Sequence, residues 1–197
     1  MTASPRALAR LVAEIRACRI CADILEPRPV LHVSHTSRLL IASQAPGLRV
    51  HQTGISFNDP SGDRLRDWMG VDRATFYDEK RVALTGMAFC FPGYDAKGGD
   101  RPPPPICAQH WRARLMDALP DMKLTLLVGS YSFAWHLGDA VKSNMTETVR
   151  AWRDYAPRHI PMPHPSWRNN GWLKKNPWFE DELVPYLRRR VRQVLSS

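Results

Sequence analysis

Leu39-Leu40-Ile41-Ala42-Ser43-Gln44-Ala45-Pro46-Gly47 is the stretch that decides the fold. Its apolar run is too short for a stable helix and ends in a polar, Pro/Gly-containing turn, so it reads as a strand buried on both faces. Three further runs have the same character: Arg81 to Phe89, Leu124 to Val128 and His159 to Met162. The segments between them show helical spacing. Arg6 to Arg19 carries Leu8, Leu11, Val12 and Ile15 on one stripe, and Cys107 to Leu119 carries Trp111, Leu115, Met116 and Leu119. Tyr131 to Leu137, Thr146 to Tyr155 and Phe179 to Leu195 complete the helices, the last bearing Arg188, Arg189, Arg190 and Arg192. Strands alternating with helices predict an α/β fold, a largely parallel sheet with helices on both faces. In such sheets ligands sit in the crevice outside the carboxyl ends of the strands. Gln44 to Gly47 therefore overhang a pocket.

The connecting segments carry their own signals. Glu26 to Ser37 is Pro-rich and polar, a connecting loop. His51 to Gly62 is rich in Gly, Asn, Asp and Pro and reads as a long loop, of the kind that tends to be functional. Ser61 is the expected N-cap of the helix after it, with Leu65, Trp68 and Met69 on its apolar stripe. His51 is a further polar candidate in this loop. Neither a repeat nor a clear linker interrupts the chain, so residues 1–197 read as one domain.

The 197 residues carry a formal charge of +9 and 44% hydrophobic residues. That composition fits a globular chain rather than a disordered one. Its basic balance favours a polyanionic partner, nucleic acid first. No apolar run reaches the roughly 18 residues of a membrane span, and Met1 to Arg6 lack a signal-peptide core. The expectation is a cytoplasmic, monomeric protein with no membrane partner.

Four cysteines remain: Cys18, Cys21, Cys90 and Cys107. Without an export signal a disulfide is disfavoured. Cys18-x-x-Cys21 brings two thiols to one centre, Cys90 follows a strand and Cys107 opens a helix. Four thiolates hold either Zn²⁺ or a [4Fe–4S] cluster. Four inert core thiols are the bland alternative.

Taken in order, these residues resemble the uracil-DNA glycosylase superfamily, closest to its family-four, iron–sulfur members. Cys18-Arg19-Ile20-Cys21 is similar to that family's N-terminal cluster pair. Ser43-Gln44-Ala45-Pro46-Gly47 resembles its Gly-Glu-Ala-Pro-Gly turn, with a divergent second residue. Gly54-Ile55-Ser56-Phe57-Asn58-Asp59-Pro60-Ser61-Gly62 resembles the following loop, and His164-Pro165-Ser166 the motif near the C-terminus. Cys90 and Cys107 stand at the spacing of the other two ligands. The resemblance implies a four-stranded parallel sheet in a three-layer α/β/α sandwich, a [4Fe–4S] cluster rather than zinc, and DNA repair by cleavage of the N-glycosidic bond of a flipped-out base.

The resemblance also assigns roles. The base, extruded from the duplex, stacks on Phe57 beside Gln44 and Ala45. His164 is the catalytic donor toward the base oxygen; its place in a Pro-His-Pro turn past a strand is itself unusual for a core histidine. Pro46 and Gly47 fall to DNA contact. Ser166 and the amides after it suit a phosphate, Trp167, Arg168 and Asn169 form the wedge loop, and Arg101 lies in the inter-cysteine loop that approaches the backbone. Two departures stand out. Gln44 replaces an acid, and an amide cannot act as a base though it can orient water. Gly86 replaces the asparagine that reads uracil. Asp59 is then the expected water-activating group, although its Asn-Asp-Pro-Ser-Gly setting also suits turn chemistry. The partner is DNA containing a damaged or deaminated base. The competing readings are an inactive DNA-binding protein on the same fold, and an unrelated α/β hydrolase, for which a Gly-x-Ser-x-Gly elbow is lacking.

Overall fold

The computed structural model describes residues 4–119 and 121–196. Met1 to Ala3, part of the N-terminal segment read above, lie outside the described residues. Four strands form one parallel sheet: β1 (Leu39–Ser43), β2 (Val82–Gly86), β3 (Leu124–Val128) and β4 (His159–Met162). Their order is β2-β1-β3-β4, with Ile41 paired to Leu84 on one side and Leu126 on the other. The chain therefore winds outward from β1 to β2, then returns past β1 to β3 and β4. That reversal is what opens a crevice at the carboxyl ends of the strands.

The apolar runs of β1, β2 and β3 are buried along nearly their whole length, because helices cover the sheet. The covering helices are α1 (Pro5–Arg16), α2 (Leu48–Thr53), α3 (Pro60–Met69), α4 (Arg73–Tyr77), α5 (Pro105–Asp117), α6 (Ser130–Leu137), α7 (Met145–Arg150), α8 (Trp152–Tyr155), α9 (Asn170–Lys175) and α10 (Val184–Leu195). α10 packs on α3 and β1, α6 on β3, and α7 and α8 on β4. Leu39, Leu40, Leu65, Phe76, Leu126, Phe179 and Leu187 belong to this core. Each fully buried Leu, Ile or Phe contributes roughly 1.5–3 kcal/mol relative to exposure. A second core joins α1 to α5 through Leu8, Leu11, Ile15, Trp111 and Leu115. The expected α/β architecture with four strands is present.

Several boundaries differ from expectation. The 51–62 stretch is not one loop: α2 runs to Thr53 and α3 begins at Pro60. Asp59, not Ser61, is the N-cap, its side chain accepting from the Gly62 amide. Pro60 explains this, since proline prefers the first helical position and so places the cap one residue before itself. β2 ends at Gly86 rather than running to Phe89, because the Met87 and Ala88 amides turn onto the carbonyls of Ser43 and Gln44. The 146–155 helix breaks at Ala151 into α7 and α8. A π-turn, Phe179–Leu183, precedes α10.

Candidate functional site

Where β1, β2 and β4 end, the chain encloses a cavity of about 90 Å³. Ser43, Ala45, Pro46 and Gly47 supply one side, Thr85 and Gly86 another, and Phe57, Asp59, Asp100 and His164 close it. Separate segments of the chain therefore converge on the turn after β1.

Phe57 is the most constrained residue here. It is buried, yet its backbone adopts φ +55°, a left-handed conformation that a bulky side chain normally avoids. Such a conformation costs roughly 1–3 kcal/mol and persists only where the surroundings impose it. Two contacts impose it. The Tyr77 hydroxyl donates to the carbonyls of Ser56 and Phe57 at 2.9 and 3.1 Å. Gly62 lies so close that a Cβ there would stand 1.8 Å from the Phe57 carbonyl oxygen. The Phe57 ring meets Phe76 edge-on and faces His164 nearly in parallel, 6.4 Å between centroids and 23° between planes.

His164 follows β4, and its carbonyl accepts from the Asn169 side chain at 2.7 Å. Burial holds its imidazole below the ordinary value of 6.5, while the carboxylates of Asp59 and Asp100 act in the opposite direction. At neutral pH it is an uncharged N–H donor facing the cavity. Asp59 has one oxygen committed to the Gly62 amide at 3.0 Å; its other oxygen makes no such bond.

Gly86 cannot carry a side chain: a Cβ would stand 2.3 Å from the Ala88 carbonyl oxygen. The amide expected there on the strength of the resemblance is thus excluded by the backbone itself. Gln44 is not among the residues that line the cavity. Its carbonyl accepts from Met87 and Ala88, which ties the two strand ends together. His51 points elsewhere, its Nε2 at 3.2 Å from Glu26.

Around the mouth, Trp167 is 72% exposed, with the Arg168 guanidinium over its ring. Ser166 caps this turn, its hydroxyl accepting from the Arg168 amide, and its carbonyl accepts from Arg64. Asn169 turns inward to His164. The Arg101 amide closes the loop from Gly93, and its side chain does not reach the cavity. Asp100 is a charged cavity residue the sequence did not reveal, and Val30, Val50 and Thr85 line the cavity likewise unannounced. The loop brings Asp100 to Gly47, where a Cβ would lie 3.9 Å from its Oδ2. Nothing short of the tertiary fold signals it.

Cys18, Cys21, Cys90 and Cys107 line one separate cavity together with Phe89, Pro104 and Trp111. Three N–H groups address the sulfurs: Trp111 Nε1 donates to Cys18 at 3.3 Å, the Arg28 amide to Cys90 and the Phe89 amide to Cys107. Burial pushes Cys90 up to about 11 and Cys107 up to about 12, these amides pulling the other way. A zinc site needs four sulfurs about 2.3 Å from one centre. Among the described residues no group of three or more potential ligands is arranged to hold a single metal ion.

A parallel α/β domain with a cavity lined by aromatic, imidazole and carboxylate groups at the carboxyl ends of its strands is a small-ligand-binding architecture. The Uracil DNA glycosylase superfamily model matches residues 32–188, and the chain belongs to that superfamily. Among solved structures, the chain is similar to a candidate uracil DNA glycosylase from Methanosarcina acetivorans determined by solution NMR. The two share 15% identity over 81% of this chain and 94% of that one, with a TM-score of 0.46.

Proposed function

We propose that the protein is a monofunctional DNA glycosylase that extrudes a deaminated base from DNA and hydrolyses its N-glycosidic bond. One observation carries this reading: an aromatic ring, Phe57, an imidazole, His164, and two carboxylates, Asp59 and Asp100, line one cavity at the carboxyl ends of the strands. Superfamily membership supports it. The reaction builds negative charge on the departing base and positive charge on the sugar. His164, held neutral, donates its N–H to the base oxygen where that charge develops. The Asn169 side chain fixes the backbone that carries it, at the His164 carbonyl. Phe57 stacks the ring, and the free oxygen of Asp59 takes a proton from the attacking water. Trp167, exposed at the mouth, fills the gap left in the helix.

Because Gly86 has no side chain, recognition of the base edge falls to backbone groups and to Asp100. That weakens discrimination among bases relative to a site with a bidentate amide. Gln44 favours a second reading, an inactive DNA-binding protein, since the first-motif position contributes no group to the cavity. Oligonucleotides containing uracil, hypoxanthine or xanthine separate the two readings. Alkali-labile abasic sites support the enzyme; binding without them supports the second.

The four cysteines fit a [4Fe–4S] cluster: all line one apolar cavity, and N–H donors already point at three of the sulfurs. Such a group would stabilise the fold between α1 and α5 and supply no atom to the base cavity. Purified protein is then brown, absorbing near about 400 nm.

A further inference from the structure

Arg112 is fully buried on α5, five residues after Cys107. One terminal nitrogen donates to Thr85 Oγ1 at 2.6 Å and to the Gly86 carbonyl at 3.3 Å. The other donates to His136 Nε2 at 2.7 Å, and Nε has no partner. Every acceptor is neutral. Burial, followed by the charge of Arg112 itself, drives His136 down to about 2, so it stays an uncharged acceptor. Among the described residues no carboxylate pairs with Arg112. Burial lowers the guanidinium to about 9, which leaves it cationic at neutral pH; a negative charge on Cys107 would act in the opposite direction.

A buried charge without a counter-charge is strongly unfavourable, and native structures pair such groups or bind an ion. The anion is therefore to be sought beside Arg112. Its own helix carries Cys107 into the four-cysteine cavity, and Trp111, its neighbour, lines that cavity too. From Gly86 the chain runs through Ala88 and Phe89, both also lining that cavity, to Cys90. Thr85 and Gly86 are at the same time walls of the base cavity. Arg112 thus bonds to the wall of the base cavity from a helix that also supplies Cys107 and Trp111 to the cysteine cavity.

We infer that Arg112 is the buried counter-charge of an anionic metal–thiolate centre held by Cys18, Cys21, Cys90 and Cys107, and that it fastens this centre to the base-cavity wall through Thr85 and Gly86. The inference rests on the cofactor reading above. Four thiolates outweigh the positive charge of an iron–sulfur core, so the loaded site is a net anion.

The test compares Arg112→Gln with Arg112→Lys in cluster-loaded protein, following loss of absorbance near about 400 nm under excess chelator. Glutamine removes the charge and keeps an amide donor; lysine keeps the charge and loses the forked geometry. The expected result is loss at least tenfold faster for Arg112→Gln and within about threefold of wild type for Arg112→Lys. Equal acceleration in both variants, or a slow Arg112→Gln, overturns the inference and leaves Arg112 a structural staple. If Arg112→Gln does not fold, Arg112→Lys alone decides, since acceleration comparable to a tenfold loss is inconsistent with the charge being what matters. Protein that takes up no centre overturns this inference and the cofactor reading together, while the base-excision reading stands.

Discussion

Replacing Gly62 with alanine sets two effects of opposite sign against each other. Gly62 lies in the first turn of α3, where alanine should favour the helix by up to about 1 kcal/mol. The added Cβ, however, would stand 1.8 Å from the Phe57 carbonyl oxygen, 2.8 Å from its carbon and 3.0 Å from its Cβ. Ordinary carbon contacts lie at about 3.5–4.0 Å, so backbone must retreat by more than about 1 Å. Retreat breaks the Tyr77 hydroxyl bond to Phe57, a loss of about 1 kcal/mol, and releases the left-handed conformation that aims the ring. The backbone being forced is not a flexible side chain, so overpacking of roughly 1–3 kcal/mol outweighs the helical gain. Net destabilisation of about 1–3 kcal/mol corresponds to a Tm roughly 2–10 °C lower in a chain of this size. Misplacing Phe57 by about 1 Å should cost on the order of a hundredfold in base excision. Thermal melts and single-turnover excision on a uracil oligonucleotide measure both. An unchanged or raised Tm with unchanged excision would refute the claim that Gly62 and Phe57 are sterically locked.

The remaining predictions concern charge, pH and the mouth of the site. Asp59→Asn keeps an oxygen for the Gly62 amide, so the melting point should hold while excision falls at least about a hundredfold; Asp59→Ala should in addition lose about 1 kcal/mol of capping. Asp100→Asn should change the ranking among uracil, hypoxanthine and xanthine more than the maximal rate, read from competition between labelled oligonucleotides. His136, lowered from 6.5 to about 2, binds a proton only in the unfolded chain over that interval, so stability is full above about pH 6.5 and falls as the pH drops below it. Melts between pH 7 and 5 should show that fall, and His136→Gln, which retains an acceptor for Arg112, should reduce it, the remainder coming from His159 and His164, which burial also lowers. Trp167→Ala, at a 72% exposed position, should leave stability within about 0.5 kcal/mol of wild type. Its activity should drop more on duplex than on single-stranded substrate.

Much of the fold is legible in the residues, for physical reasons that differ from element to element. β1, β3 and β4 begin and end where their apolar runs do, since a strand covered on both faces must be apolar throughout. Ala45 and His164 follow strand ends, which a parallel topology brings to one crevice; Phe57 and Asp59, in the connection between α2 and α3, are legible only through the resemblance of their loop motif. α2 leaves little trace in the sequence because its six residues include His51 and Gln52 and follow a glycine with no side-chain cap. Pro60 marks the start of α3 and so points to Asp59 as its cap, a stronger signal than the hydroxyl of Ser61. Asp100 and Arg112 are out of reach of sequence reasoning. Asp100 is delivered to the cavity by a loop whose path depends on its own hydrogen bonds. Arg112 resembles any surface arginine, because an arginine beside an apolar stripe ordinarily marks a solvated face. The strain at Phe57 is likewise a property of the assembled loop, Gly62 and Tyr77 together, and of no single residue.

Release of a base in the cavity lined by Phe57 and His164 is tested most directly by single-turnover excision of uracil, hypoxanthine and xanthine by wild-type protein and by His164→Ala. Alkali-labile product is expected from at least one substrate with wild-type protein, and a rate lower by at least about a hundredfold with His164→Ala. Equal rates for the two proteins, or DNA binding with no product from any of the three substrates, would contradict it.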